Sequence, residues 1–150
     1  MALDDIYKEV ILDHYKSPRN KRELPGATAT CSRNNPLCGD EIEVAVTVDD
    51  GVVTAATFQG AGCSISQSSA SMMSQAIKGH TIGEVRALVR RFKGMMSIED
   101  PDGDGADGAA DVSLGDLEAL QGVVKFPVRI KCATLAWNTL LEALDQPQTV

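Results

Sequence analysis

The sequence predicts an α+β domain in which a small antiparallel three-stranded sheet packs against helices. Three observations carry that prediction. Two short segments read as strands around a tight turn. Several longer segments place apolar residues at helical spacing. All but the first of those helices follow the strands in the chain, which is the order of an α+β domain.

Over 3–15, Leu3, Ile6, Tyr7, Val10, Ile11 and His14 fall at helical spacing, and Ser17-Pro18 ends the segment. Asp4 and Asp5 sit near the positive end of that helix. A short strand near 26–32 supplies the third strand. Asn34-Asn35-Pro36 is turn chemistry, a loop that enters the strand 41–48. Asp49-Asp50-Gly51 signals a tight turn and 52–58 returns, so a hairpin spans 41–58. Gly60-Ala61-Gly62 breaks the strand, and a helix runs from Ser64 to Gly79. Its small residues Ser66, Ser68, Ser69, Ala70 and Ser71 suit close packing against a sheet. The next helix, 81–93, has Thr81 as a cap and Glu84 in the capping-box position. Residues 113–120 resemble a short capped helix. The last helix runs over 128–144, with Pro127 in its first turn, where a missing N–H costs little.

No internal repeat interrupts this order, so the expectation is one domain over 1–150. An acidic Gly/Asp-rich insertion loop at about 97–112 is its one low-complexity stretch. Asp100, Asp102, Asp104, Gly105 and Asp111 there resemble a calcium loop. Asp107 stands where that loop is apolar, and Asp111 stands where it needs a bidentate Glu. A solvated acidic loop is the favoured reading over a weak calcium site.

Hydrophobic residues at 43% and charged residues at 23% exclude global disorder. No apolar run reaches the about 18 residues of a membrane-spanning helix. The acidic start lacks a basic-then-apolar leader, so a cytoplasmic location is expected. A net charge of −7 argues against general nucleic-acid binding, which needs clustered cations. One local cluster runs the other way: Lys16, Arg19, Lys21 and Arg22. It reads as a solvated loop, with a docking patch for an acidic protein surface as the sharper alternative.

The chain has four cysteines, and none forms a C-x-x-C pair. In a reducing compartment, scattered cysteines bind metal or react more often than they pair. In Cys38-Gly39-Asp40 a thiol and a carboxylate lie two residues apart, on one side of an extended segment. The glycine between them lets the backbone approach an ion. Cys63 stands at the other end of the hairpin, so it neighbours Cys38 and Asp40. It also precedes a helix, whose positive end favours a thiolate. Cys132 lies in the first turns of the last helix and approaches from another direction. Three sulfurs and one oxygen suit tetrahedral zinc. Spacing alone leaves a second reading open, in which these are unrelated buried thiols.

Four segments carry a resemblance. Residues 35–40 (NPLCGD), 60–66 (GAGCSIS) and 126–132 (FPVRIKC) resemble the three cysteine segments of the IscU/NifU-N superfamily. Residues 13–20 (DHYKSPRN) resemble that family's N-terminal signature. The resemblance implies an IscU/NifU-N-like fold and a role in iron–sulfur cluster assembly. Scaffold members carry a His directly before the third cysteine, and here that residue is Lys131. They also lack the stretch occupied here by roughly 94–122. Both departures resemble the SufU branch, as do residues 64–73. That branch implies a sulfurtransferase, a zinc-bound sulfur acceptor that works with a SufS-type cysteine desulfurase and supplies downstream Suf cluster-assembly proteins. The alternative is a scaffold on which a 2Fe–2S cluster is built.

Carried over by position, the resemblance makes Cys38, Asp40, Cys63 and Cys132 the Zn2+ ligands. Cys38 is then the persulfide acceptor, released from zinc when a desulfurase side chain replaces it. Arg129 is a candidate stabiliser of the released thiolate, with a surface cation as the equal alternative. Cys31 matches no ligand position and reads as a strand thiol. His14 reads as a packing residue, and His80 as an exposed turn residue.

Overall fold

The structure, a computed structural model, describes residues 3–35, 39–96, 117, 119–120 and 127–145. Helix α1 (Leu3–Lys16) leads into three strands, β1 (Ala29–Asn35), β2 (Asp40–Asp49) and β3 (Val52–Ala61). Helices α2 (Ser64–Ile77), α3 (Ile82–Met95) and α4 (Pro127–Asp145) follow. The strands form one antiparallel sheet in the order β1-β2-β3. Among the described residues, no helix is long and apolar enough to cross a membrane.

Alternation sets the two faces of the sheet. Cys31, Val44 and Phe58 are paired across the strands, as are Ala29, Val46 and Ala56, and all six are buried. Helix α4 packs on β1 and β2, and α2 packs on β3. The other face carries Thr30, Ala45 and Thr57 in register. Chain from Asn20 to Thr28 crosses it: the Phe58 N–H donates to the Asn20 carbonyl at 3.0 Å, and the Thr28 N–H to the Val46 carbonyl at 2.9 Å. Ala45 and Thr57 are buried beneath that strap.

The strands run further than the sequence reading placed them. The third strand starts at Ala29 and continues through Asn34 and Asn35, which pair with Glu41 and Asp40. Asparagine disfavours strands only weakly, and ladder pairing overrides it. Strand β3 likewise passes through Gly60 to Ala61, opposite Ile42 and Glu41. A Cβ at Gly60 would overlap the Glu41 carbonyl, so glycine there permits close strand approach instead of ending the strand.

Helix α2 buries Ser66, Ser68, Ser69, Ser71 and Ser74. Such small side chains let three elements crowd it: α1, α4 and β3. The hydroxyls of Ser69, Ser71 and Ser74 bond across those contacts. The Ser69 hydroxyl donates to the Ala133 carbonyl at 2.6 Å and accepts the Trp137 indole N–H at 3.0 Å. His14 is buried, with Nδ1 2.8 Å from the Ser71 hydroxyl, so it serves packing as the sequence implied. Thr81 caps α3 in a reciprocal box with Glu84, and that bonding holds the Glu84 carboxyl below its usual range. His80 is half-buried instead of exposed, 3.6 Å from Glu84. Of the short helix over 113–120, Leu117, Ala119 and Leu120 are described and lie in the core. The acidic stretch 97–112, with its calcium-loop pattern, lies outside the described residues.

The core closes on Trp137, which is fully buried and stacks on Phe92 with centroids 4.4 Å apart. Replacing Ser69 by Ala leaves the indole N–H unpaired in that core. The expected cost is about 1–3 kcal/mol, read as a lower midpoint in urea unfolding.

Candidate metal centre

Three side chains meet at the end of the sheet. One ligand atom from each of Asp40, Cys63 and Cys132 lies within 4.8 Å of the others. Each arrives on a different element. Asp40 is the first residue of β2, Cys63 is the residue that caps α2, and Cys132 lies near the start of α4. Hairpin geometry brings Asp40 and Cys63 together: Glu41 pairs with Ala61, Asp40 is the next residue outward on one side, and Cys63 follows Gly62 on the other. Cys132 joins them because α4 packs across β1 and β2.

Asp40 is fully buried, and its two oxygens differ. Oδ1 accepts the Cys63 N–H at 2.9 Å. Oδ2 is buried, with no hydrogen-bond partner among the described residues. A buried carboxylate oxygen with nothing to accept from is costly unless a cation meets it. Cys63 has extended backbone at the cap, and its side chain makes no capping bond, so the sulfur is available as a ligand. The start of α2 adds the positive end of a helix beside it. Cys132 is fully buried, and the Asn35 Nδ2 lies 3.8 Å from its sulfur.

Two sulfurs and a carboxylate oxygen are a zinc donor set. Zinc–sulfur bonds of about 2.3 Å put tetrahedral sulfur pairs about 3.8 Å apart. The observed spread therefore needs only a small contraction to close on an ion. The fourth residue of the set expected from sequence, Cys38, lies outside the described residues. Arg129 is exposed on the first turn of α4, three residues before Cys132. Lys131 is exposed as well. Cys31 stands apart from the group, buried in β1 beside Val44. Burial, and then the Glu142 carboxylate, push its thiol above the usual range.

Sequence reasoning passed over three residues here. Asn35 was read as a turn residue. Ser66 is fully buried and donates to the Cys63 carbonyl at 3.1 Å, bracing the ligand's backbone. Gly62 has φ +150°, and a Cβ there would overlap Asp40 Oδ1 and crowd the Ser66 hydroxyl. Its signal was present as the glycine beside Cys63, but the neighbour it makes room for is 22 positions earlier in the chain.

The NifU-like N-terminal domain family matches residues 6–133. The zinc-dependent sulfurtransferase SufU of Bacillus subtilis (strain 168) is 49% identical over 138 residues, covering 92% of this chain and 88% of that one. The iron–sulfur cluster assembly scaffold protein IscU of Streptococcus pyogenes serotype M1 is 42% identical over 144 residues, covering 96% and 86%. Among solved structures, a candidate iron–sulfur cluster assembly scaffold for the SUF system from Fervidobacterium islandicum AW-1 superposes with a TM-score of 0.79. It is 29% identical, and the match covers 96% of this chain and 100% of that one.

Gly62→Ala is expected to push the Asp40 carboxylate off the Cys63 N–H. Bound zinc, measured by metal analysis after exchange against a chelator, should fall on the order of 10-fold or more, the scale seen when a ligand's support is lost. Unchanged zinc retention would show that Asp40 does not need that bond.

Proposed function

Because the chain belongs to the NifU-like N-terminal domain family and draws two thiols and a buried carboxylate to one point, we propose that it is a zinc-dependent sulfur acceptor for iron–sulfur cluster assembly. It takes persulfide sulfur from a SufS-type cysteine desulfurase and passes it to downstream Suf assembly proteins. The observation that carries this reading is the buried Asp40 carboxylate, grouped with the Cys63 and Cys132 sulfurs and with one oxygen, Oδ2, that has no hydrogen-bond partner among the described residues. The relative named as a zinc-dependent sulfurtransferase supports it.

Asp40, Cys63 and Cys132 would hold zinc, with Cys38 as the fourth ligand. When bound, zinc keeps such thiolates deprotonated and closed to side reactions. The chain's own residues then divide the work. Asp40 is fixed by the Cys63 N–H, and Cys132 is fixed in a helix whose neighbours Ala133 and Ala136 are fully buried. Cys38 lies in the β1–β2 connection, between Asn35 and Asp40, and is the thiolate that leaves the set. It attacks the terminal sulfur of the desulfurase's cysteine persulfide. A sulfur–sulfur bond forms at Cys38, the one in the desulfurase breaks, and the desulfurase cysteine departs as thiolate. No net oxidation occurs. Arg129, one helical turn from Cys132 and exposed, is a cation within reach of this end of the fold for the freed thiolate.

A second reading is a scaffold for a 2Fe–2S cluster, since the same donors suit it. The Streptococcus relative named as a scaffold favours it. Lys131 favours zinc, because a protonated lysine offers no ligand where scaffold members place a histidine.

The expected outcome is that zinc copurifies at about one per chain and that the protein raises a desulfurase's turnover of cysteine. Cys38→Ala should abolish the stimulation. Reconstitution to a stable brown cluster, with no stimulation, would replace this reading with the scaffold.

A further inference from the structure

We infer that Asn35 is a positioning residue that keeps Cys132 as the thiolate that stays on the metal while sulfur is exchanged elsewhere; this rests on the zinc-site reading above. Asn35 ends β1 and is paired across the sheet with Asp40. Directly paired residues project to the same face. One pair therefore sends two side chains into the site. The Asp40 carboxylate meets the Cys63 N–H. The Asn35 amide meets the Cys132 sulfur at 3.8 Å. Asn35 is 8% exposed and Cys132 is 0% exposed, so water does not compete for this contact.

The chemistry gives the contact a direction. A thiolate only accepts, so the amide presents its Nδ2 arm. An N–H···S bond draws negative charge from the sulfur, which becomes a weaker base and a weaker nucleophile. Such a thiolate is slower to be protonated off a metal and slower to attack a persulfide. Cys63 differs: it is half-buried, and among the described residues no side chain donates to its sulfur. The site thus holds two unlike thiolates, and the Asn35 amide on Cys132 is one difference between them.

The test uses the full chain loaded with cobalt(II) in place of zinc. Cobalt bound to thiolate gives a sulfur-to-metal charge-transfer band whose energy falls as the sulfur becomes more electron-rich. In Asn35→Leu the band should move to longer wavelength. In Asn34→Leu, an exposed neighbour whose side chain alternates to the other face, it should stay in place. If Asn35→Leu does not fold, Asn35→Ala removes the same donor at smaller volume. An unmoved band in the folded variant overturns the inference, as does an equal shift in Asn34→Leu. A chain that gives no such band with cobalt overturns the zinc site itself, and the inference with it. Mapping sulfane sulfur after reaction with desulfurase and cysteine separates the two ideas further. Sulfur on the Cys132 peptide should appear only in the Asn35 variant, and sulfur there in the unaltered chain overturns the inference. Sulfur on Cys63 in place of Cys38 overturns the acceptor assignment and leaves Asn35's role standing.

Discussion

The bond from the Cys63 N–H to Asp40 Oδ1 joins the start of β2 to the start of α2. Much of the site depends on it. It spends one carboxylate oxygen on structure and leaves the other buried, with no hydrogen-bond partner among the described residues. Without the bond, neither oxygen of this desolvated carboxylate would have a hydrogen-bond partner among the described residues, which is costly. The close approach it requires explains Gly62, since any Cβ there collides with the same oxygen.

The core holds this end of the sheet at fixed geometry. Helices α2 and α4 lie on one face of three strands, and α2 contacts α4 directly. Serines on α2 keep the spacing short, and the Ser69 hydroxyl bridges the Trp137 indole and the Ala133 carbonyl on α4. Ala133 directly follows Cys132. The packing that buries Trp137 is therefore the packing that sets one sulfur. A candidate metal site assembled from three elements in this way is preorganised by hydrophobic burial, so its side chains would need little ordering to hold an ion.

Much of this was legible in the chain. The hairpin around Asp49-Asp50-Gly51, the Thr81 capping box and the helices α1, α3 and α4 are local patterns, and they appear where spacing put them. The errors share a cause. Asn34, Asn35 and Gly60 carry turn or breaker signals, yet all three lie in paired strands. Strand ends are decided by the neighbouring strand, which a local reading does not see. Asn35 shows the consequence: read as a turn residue, it lost its pairing with Asp40 and its contact with Cys132.

By itself the sequence determined the element order, the hairpin that sets Asp40 beside Cys63, and the motif segments that place the chain in its family. These depend on short-range periodicity, turn chemistry and residue identity. For Cys132 beside the other two, and Cys31 outside the group, residue patterns gave only the family resemblance; tertiary structure supplied the contact itself, and it alone decided which Asp40 oxygen is spent on the Cys63 N–H. The meeting of Cys132 with the other two follows from helix packing on a sheet face. That packing joins residues about 70–90 positions apart through burial and register, which no local pattern encodes.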